Sequence, residues 1–195
     1  MGLVRGLLVP LELWNRWALA LGRGLALVAL AIMVIVILAQ VFFRYVLNNA
    51  LPWPDEAARF LMLWMTGLAA PTAFRRGGFV AIDTVQRLMP RRVADVLVLV
   101  LLALSLCVLA VGIQLGWNHV NSGWLFNSSS LRVPLDLVGG ETVRVKLAWM
   151  YMSVWIGMVL LTVVAVELIL RQIVRIGGEA DTLSPLAPGD LPEAE

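Results

Sequence analysis

The chain has 195 residues, of which 61% are hydrophobic and 14% charged, with a formal net charge of +2. Soluble domains carry about 25% charged residues, and a mean hydropathy of +0.88 excludes a soluble core in favour of a polytopic membrane protein. The pI of about 9.2 comes mostly from arginine, which in such a chain reports topology before nucleic-acid binding.

In chain order, "PLELWNRWALALGR", residues 10–23, places Leu13, Trp14, Trp17 and Leu21 at helical spacing, with Glu12 and Arg16 four apart. This predicts an amphipathic interfacial helix, with Trp14 and Trp17 at headgroup level. Four long apolar runs follow, over about residues 25–43, 57–74, 93–117 and 147–170. About 18 or more apolar residues suffice to cross a ~30 Å hydrocarbon core, and continuous runs of this length mean helices. The first run is longer than the apolar region of a cleavable signal, and no small-x-small site follows it closely. The predicted fold is an all-α integral membrane protein: four transmembrane helices plus an N-terminal interfacial amphipathic helix. The divisions are 1–24 for the N-terminal segment, 25–176 for the transmembrane domain and 177–195 for a tail. That tail, rich in Gly, Pro and acids, is expected to be disordered.

Arginines set the orientation. Arg5, Arg16 and Arg23 precede the first run, Arg75, Arg76, Arg87, Arg91 and Arg92 join the second to the third, and Arg171 and Arg175 follow the fourth. The opposite side holds Arg44, Arg59, Arg132, Arg144 and Lys146. The positive-inside rule therefore predicts both termini in the cytoplasm, with a bacterial inner membrane the simplest setting. Trp149, entering the fourth span, reads as a further interface anchor.

Several chemistries lack their residues. The single histidine, His119, cannot supply paired haem ligands or a His-rich metal site. No Gly-rich phosphate loop occurs, and neither His119 nor the one cysteine, Cys107, completes a nucleophilic constellation. No catalytic residue, cofactor or metal is expected. The middle of each span is free of the ionisable residues that carriers keep for transport work. Gly67 and Pro71 read as a packing kink in the second span, so the chain is not expected to move a solute alone.

The charged bracket "FRYVLNNALPWPDEAARF", residues 42–60, is the most informative stretch. Pro54 suits the first helical position, and Asp55 and Glu56 complement the positive end of the helix dipole. Spacing lets Asp55, Glu56 and Arg59 pair with one another, while Arg44 can snorkel outward or close onto Glu56. By local rules this is a capped, interface-anchored helical hairpin.

The wider stretch "VFFRYVLNNALPWPDEAARFLMLWMTGLAAPTAFRRGGFVAIDTV" resembles the small membrane subunit, DctQ-like, of tripartite ATP-independent periplasmic (TRAP) transporters. The positions that carry the resemblance are Arg44, Tyr45, Trp53, Glu56, Arg59, Trp64, Arg75, Arg76, Gly77 and Asp83. Two departures stand out: Phe79-Val80 occupies the place of a His-Ile pair, and about Asp136 to Lys146 is extra sequence on the outer side, with Gly139-Gly140 a candidate hairpin turn. The resemblance implies a non-catalytic scaffold in the inner membrane. Its expected partners are a large, elevator-type membrane subunit carrying the sodium and substrate sites, a periplasmic solute-binding protein that delivers an organic acid, and membrane lipid, but no nucleic acid. On this reading Arg44, Glu56 and Arg59, with Trp53, form a polar clamp between the first two helices, and Arg75, Arg76 and Asp83 form a matching cluster at the other end. Each group is a candidate for subunit contact. An assembly or anchoring subunit of another inner-membrane complex would share the same topology.

Overall fold

A computed structural model of the chain describes residues 2–76, 90–133 and 143–177. Its elements are α1 (Gly2–Tyr45), α2 (Pro54–Arg75), α3 (Arg91–Gly123), the strands β1 (Asn127–Val133) and β2 (Val143–Lys146), and α4 (Ala148–Ile176). Three stretches, Leu8–Tyr45, Arg92–Gly123 and Ala148–Ile176, are long and apolar enough to cross a membrane. The shorter α2 is diluted by Arg59, Thr66, Pro71 and Thr72. Asp83, the Gly139-Gly140 turn and the tail from 178 onward lie outside the described residues.

Residues 10–23 do not form a separate element. They are the early turns of α1, a single helix of 44 residues, about 66 Å at 1.5 Å per residue. Nothing between Pro10 and Tyr45 breaks it, and one face is committed to neighbours: Leu8, Asn15, Leu19, Ala26 and Ala29 are buried at intervals of three, four and seven, the repeat of a helix–helix seam. Trp14 and Trp17 lie outside this seam and are exposed. A short loop containing Asn48 at φ 51°, a left-handed conformation that Asn tolerates, returns the chain to α2.

The hub of the bundle is α4, which packs against α1, α2 and α3. Its buried positions Ser153, Gly157, Val164, Glu167, Arg171 and Val174 run along its length. At Gly157 and Gly67 the backbones of α4 and α2 nearly touch: a Cβ built on Gly157 would lie 2.7 Å from the Gly67 carbonyl oxygen, and one on Gly67 would lie 2.4 Å from that of Ser153. Without aqueous solvent to drive helices together, such close backbone packing is a main source of cohesion. The outward faces are apolar stripes. On α1 the stripe includes Leu25, Val28, Ile32, Ile35 and Leu38; on α3 it includes Val96, Val100, Leu104, Val108 and Leu115. Faces of this extent are incompatible with water and suit lipid or another membrane helix.

Between α3 and α4, β1 and β2 pair antiparallel, with Arg132 opposite Arg144 and Val133 opposite Val143. The added hairpin therefore takes in β1, ahead of the segment from Asp136 that the sequence marked as extra, and qualifies an all-α description. At its foot Trp124 meets Trp149 edge-to-face at 6.0 Å, beside exposed Leu125 and Phe126.

Candidate functional site

Two polar clasps, one at each end of the bundle, tie charged side chains to other elements of the chain. At the hairpin end the first turn of α2 presents Glu56 to β1. The register slips between Asn127 and Arg132, and such a bulge turns backbone N–H groups out of the ladder. The N–H groups of Ser129, Ser130 and Leu131 donate to the Glu56 carboxylate at 3.2, 2.8 and 3.2 Å. The hydroxyls of Ser129 and Ser130 donate at 3.2 and 2.5 Å. Successive backbone N–H groups converging on an anion form a nest. The buried Ser128 hydroxyl braces the turn by accepting from the Leu131 N–H at 2.8 Å.

Glu56 stands one residue before the apolar run 57–74. Burial pushes its carboxyl up, but hydrogen bonds from the Ser130 and Ser128 hydroxyls and from the Ser130 and Ser129 backbone outweigh this and lower the pKa from 4.5 to about 2. Because the folded pKa is depressed, the stabilisation is complete above pH about 4.5 and is lost as pH falls toward about 2. Amide exchange at Ser129–Leu131 should therefore stay equally protected from pH 7 to about 4.5 and loosen below that. Glu56→Ala should remove the protection at every pH, lowering the local opening free energy by about 2 kcal/mol, as expected for bonds to a charged acceptor. Protection unchanged in the variant would show that Glu56 does not hold the hairpin.

This geometry corrects the expected clamp. Among the described residues neither Arg44 nor Arg59 pairs with Glu56, which is engaged by β1 instead. Arg44 lies 5.9 Å from the ring centroid of its neighbour Tyr45, and Arg59 is exposed, as is Trp53 at the head of α2. Local spacing made Arg59 available to Glu56, but three convergent backbone donors fixed in the bulge require no ordering of a long side chain.

At the opposite end Glu167, fully buried on α4, collects three partners. Asn15 Nδ2 of α1 donates at 2.6 Å. Arg75 at the end of α2 donates through Nη2 at 2.7 Å and Nε at 3.0 Å. Arg171, one turn along α4, donates through Nε at 3.0 Å and also pairs with Glu12 of α1. Two carboxylates and two guanidiniums thus balance in a largely buried group. Next to it, Gln172 Nε2 donates to the Asp95 backbone oxygen at 2.9 Å, and Arg175 pairs with the Asp95 carboxylate at 3.4 Å, tying α4 to α3. Of the expected cluster here, Arg75 lies in the network, Arg76 is exposed beside it, and Asp83 is outside the described residues. Glu12, Asn15, Glu167 and Arg171 were missed as a site. The signal available was Glu167 and Arg171 four apart on one helix face.

Both clasps use charge to join elements of this chain, and among the described residues no group of three or more His, Cys, Asp or Glu could hold a metal. The apolar stripes and three helices of membrane-spanning length define a multi-pass membrane protein. Residues 33–175 match the family model described as tripartite ATP-independent periplasmic transporters, DctQ component. The chain belongs to that family, the small membrane component of these transporters. A search of curated proteins gave no match.

Proposed function

We propose that this chain is a non-catalytic scaffold: a small permease subunit that binds and stabilises a large elevator-type membrane subunit during sodium-coupled uptake of an organic acid delivered by a periplasmic binding protein. The observation that carries this reading is the division of labour on the surface. Charges at both ends are used to lock the bundle, while among the described residues the outer faces of α1 and α3 remain apolar and exposed. A domain that slides through the membrane needs a neighbour that neither tilts nor yields. Helices joined at both ends provide that stiffness, and apolar stripes provide the area to pack against.

On this reading α2 is the fourth span. Its apolar run, residues 57–74, reaches about 27 Å at 1.5 Å per residue, close to the thickness of the hydrocarbon core. The hairpin then faces the periplasm, both termini face the cytoplasm, and the membrane is the bacterial inner membrane. Trp14, Trp17 and Trp149 anchor the bundle at its interfaces. Arg44, Arg59 and Arg76, exposed and outside both clasps, are the candidates for direct contact with the large subunit. Trp53 joins them, Glu56 and Arg75 support that surface from within, and Asp83 is assigned to the same cytoplasmic cluster.

Co-expression with the large membrane subunit should yield a complex that copurifies, and the small chain alone in liposomes should accumulate no solute. Glu56→Ala should reduce assembly and uptake while sodium and solute affinity of the assembled complex stay at wild-type values. Sodium-driven accumulation by the lone chain would overturn the scaffold reading.

A further inference from the structure

The hairpin carries a second feature that its clasp to α2 does not use. Arg132 and Arg144 are direct cross-strand partners, so their side chains leave the same face of the ribbon. Lys146, two residues beyond Arg144 on β2, shares that face by the alternation of a strand. Like charges set directly opposite one another destabilise a strand pair, and an isolated two-stranded ribbon has little stability to spare. Neither arginine is buried, and no hydrogen bond or ion pair reaches any of the three cations among the described residues. Across the interface with α2, the Glu56 carboxylate already accepts from the β1 backbone on both of its oxygens.

The position of this face limits what can neutralise it. Lys146 ends β2 immediately before α4, whose second residue, Trp149, meets Trp124 at the end of α3. Paired tryptophans where apolar helices end mark the headgroup level. Along the ribbon Arg132 and Arg144 lie two strand residues beyond Lys146, away from α4, about 7 Å at 3.3 Å per residue, a length comparable to the depth of the polar layer outside the hydrocarbon.

The geometry points to an anionic-phospholipid site: the Arg132, Arg144 and Lys146 face of the hairpin binds the phosphates of anionic headgroups in the leaflet where the ribbon emerges. Phosphate oxygens supply the counter-charge that the described residues do not provide, and they relieve the repulsion between the two opposed arginines. This assignment depends on membrane embedding and on no particular transport role, so it stands or falls separately from the scaffold reading.

The test uses the full chain in nanodiscs of phosphatidylethanolamine with and without phosphatidylglycerol, followed by native mass spectrometry of the retained lipid. Wild type should retain phosphatidylglycerol in preference to phosphatidylethanolamine. The R132Q/R144Q/K146Q variant should lose that preference by on the order of 10-fold or more, given the attraction each cation near a charged surface contributes. Should the triple variant fail to fold, by far-UV circular dichroism, R144Q alone should lower the preference by roughly 5-fold. Equal retention by wild type and variant overturns the proposal. Displacement of the lipid by millimolar inorganic phosphate would assign the face to a soluble anion, and loss of a purified binding protein from the variant without any change in lipid would assign it to an acidic protein surface. Either result overturns it as well.

Discussion

Replacing Glu167 by leucine should destabilise the protein by about 3–5 kcal/mol, the usual result of stripping one partner from a buried ion pair. The side chains of Arg75 and Arg171 are 13% and 8% exposed; without Glu167, Arg75 loses the only ion-pair partner seen for it among the described residues, whereas Arg171 keeps Glu12. The loss is larger than the worth of the pair itself, because a desolvated guanidinium is left behind. For the same reason E167L/R75L should be less damaged than E167L alone. The coupling in a double-mutant cycle measured by thermal or denaturant unfolding in detergent isolates the interaction. Additive losses in that cycle would mean that Arg75 and Glu167 do not communicate.

The second large effect should come from a single methyl group. Gly67→Ala places a Cβ 2.4 Å from the Ser153 carbonyl oxygen, and Gly157→Ala places one 2.8 Å from the Gly67 Cα. Because the obstacle is backbone, no rotamer change relieves the overlap and α2 must move away from α4. The cost should be at least the ~1–3 kcal/mol of an overpacked core, and it should weaken the Arg75–Glu167 bond as well, since the same two helices carry it. Gly24 is the internal control: nothing lies within 4 Å of a Cβ there, so Gly24→Ala should be neutral or stabilising by up to about 1 kcal/mol through helix propensity alone. Melting temperatures of the three variants in one detergent decide the matter, and equal values would remove the α2–α4 backbone contact as a determinant of stability.

The helices were legible because the bilayer demands long apolar runs, and three of the four emerge with the length and hydropathy that spanning requires. What hydropathy does not contain is the rotation and register of one helix against another. Asn15 and Glu167 are 152 positions apart, and only the packed bundle brings them within 2.6 Å. Glu167 and Arg171 are four apart on one helix face, and only in the folded bundle do they join α4 to α1 and α2. At Glu56 the local i,i+3 rule pointed to Arg59, whereas the partners lie 73 to 75 residues away in "NSSSLRV". That stretch has little of the alternation that marks a strand, and its donors are backbone groups freed by a bulge, which residue identity does not encode. The early turns of α1 show the converse: an amphipathic pattern was present, but Asn15 made its polar side a seam against α4.

Because Glu167, Arg171, Gln172 and Arg175 all belong to α4, the polar ties described at that end of the bundle wait for α4 to be synthesised. Until α4 emerges from the ribosome and inserts, Arg75 lacks the Glu167 carboxylate, and α1 and α2 are held by their mutual contact. Assembly of this subunit is thus biosynthetically back-loaded, and chains that stop short of residue 167 should be recognised by membrane quality control as orphans rather than persist as shortened subunits.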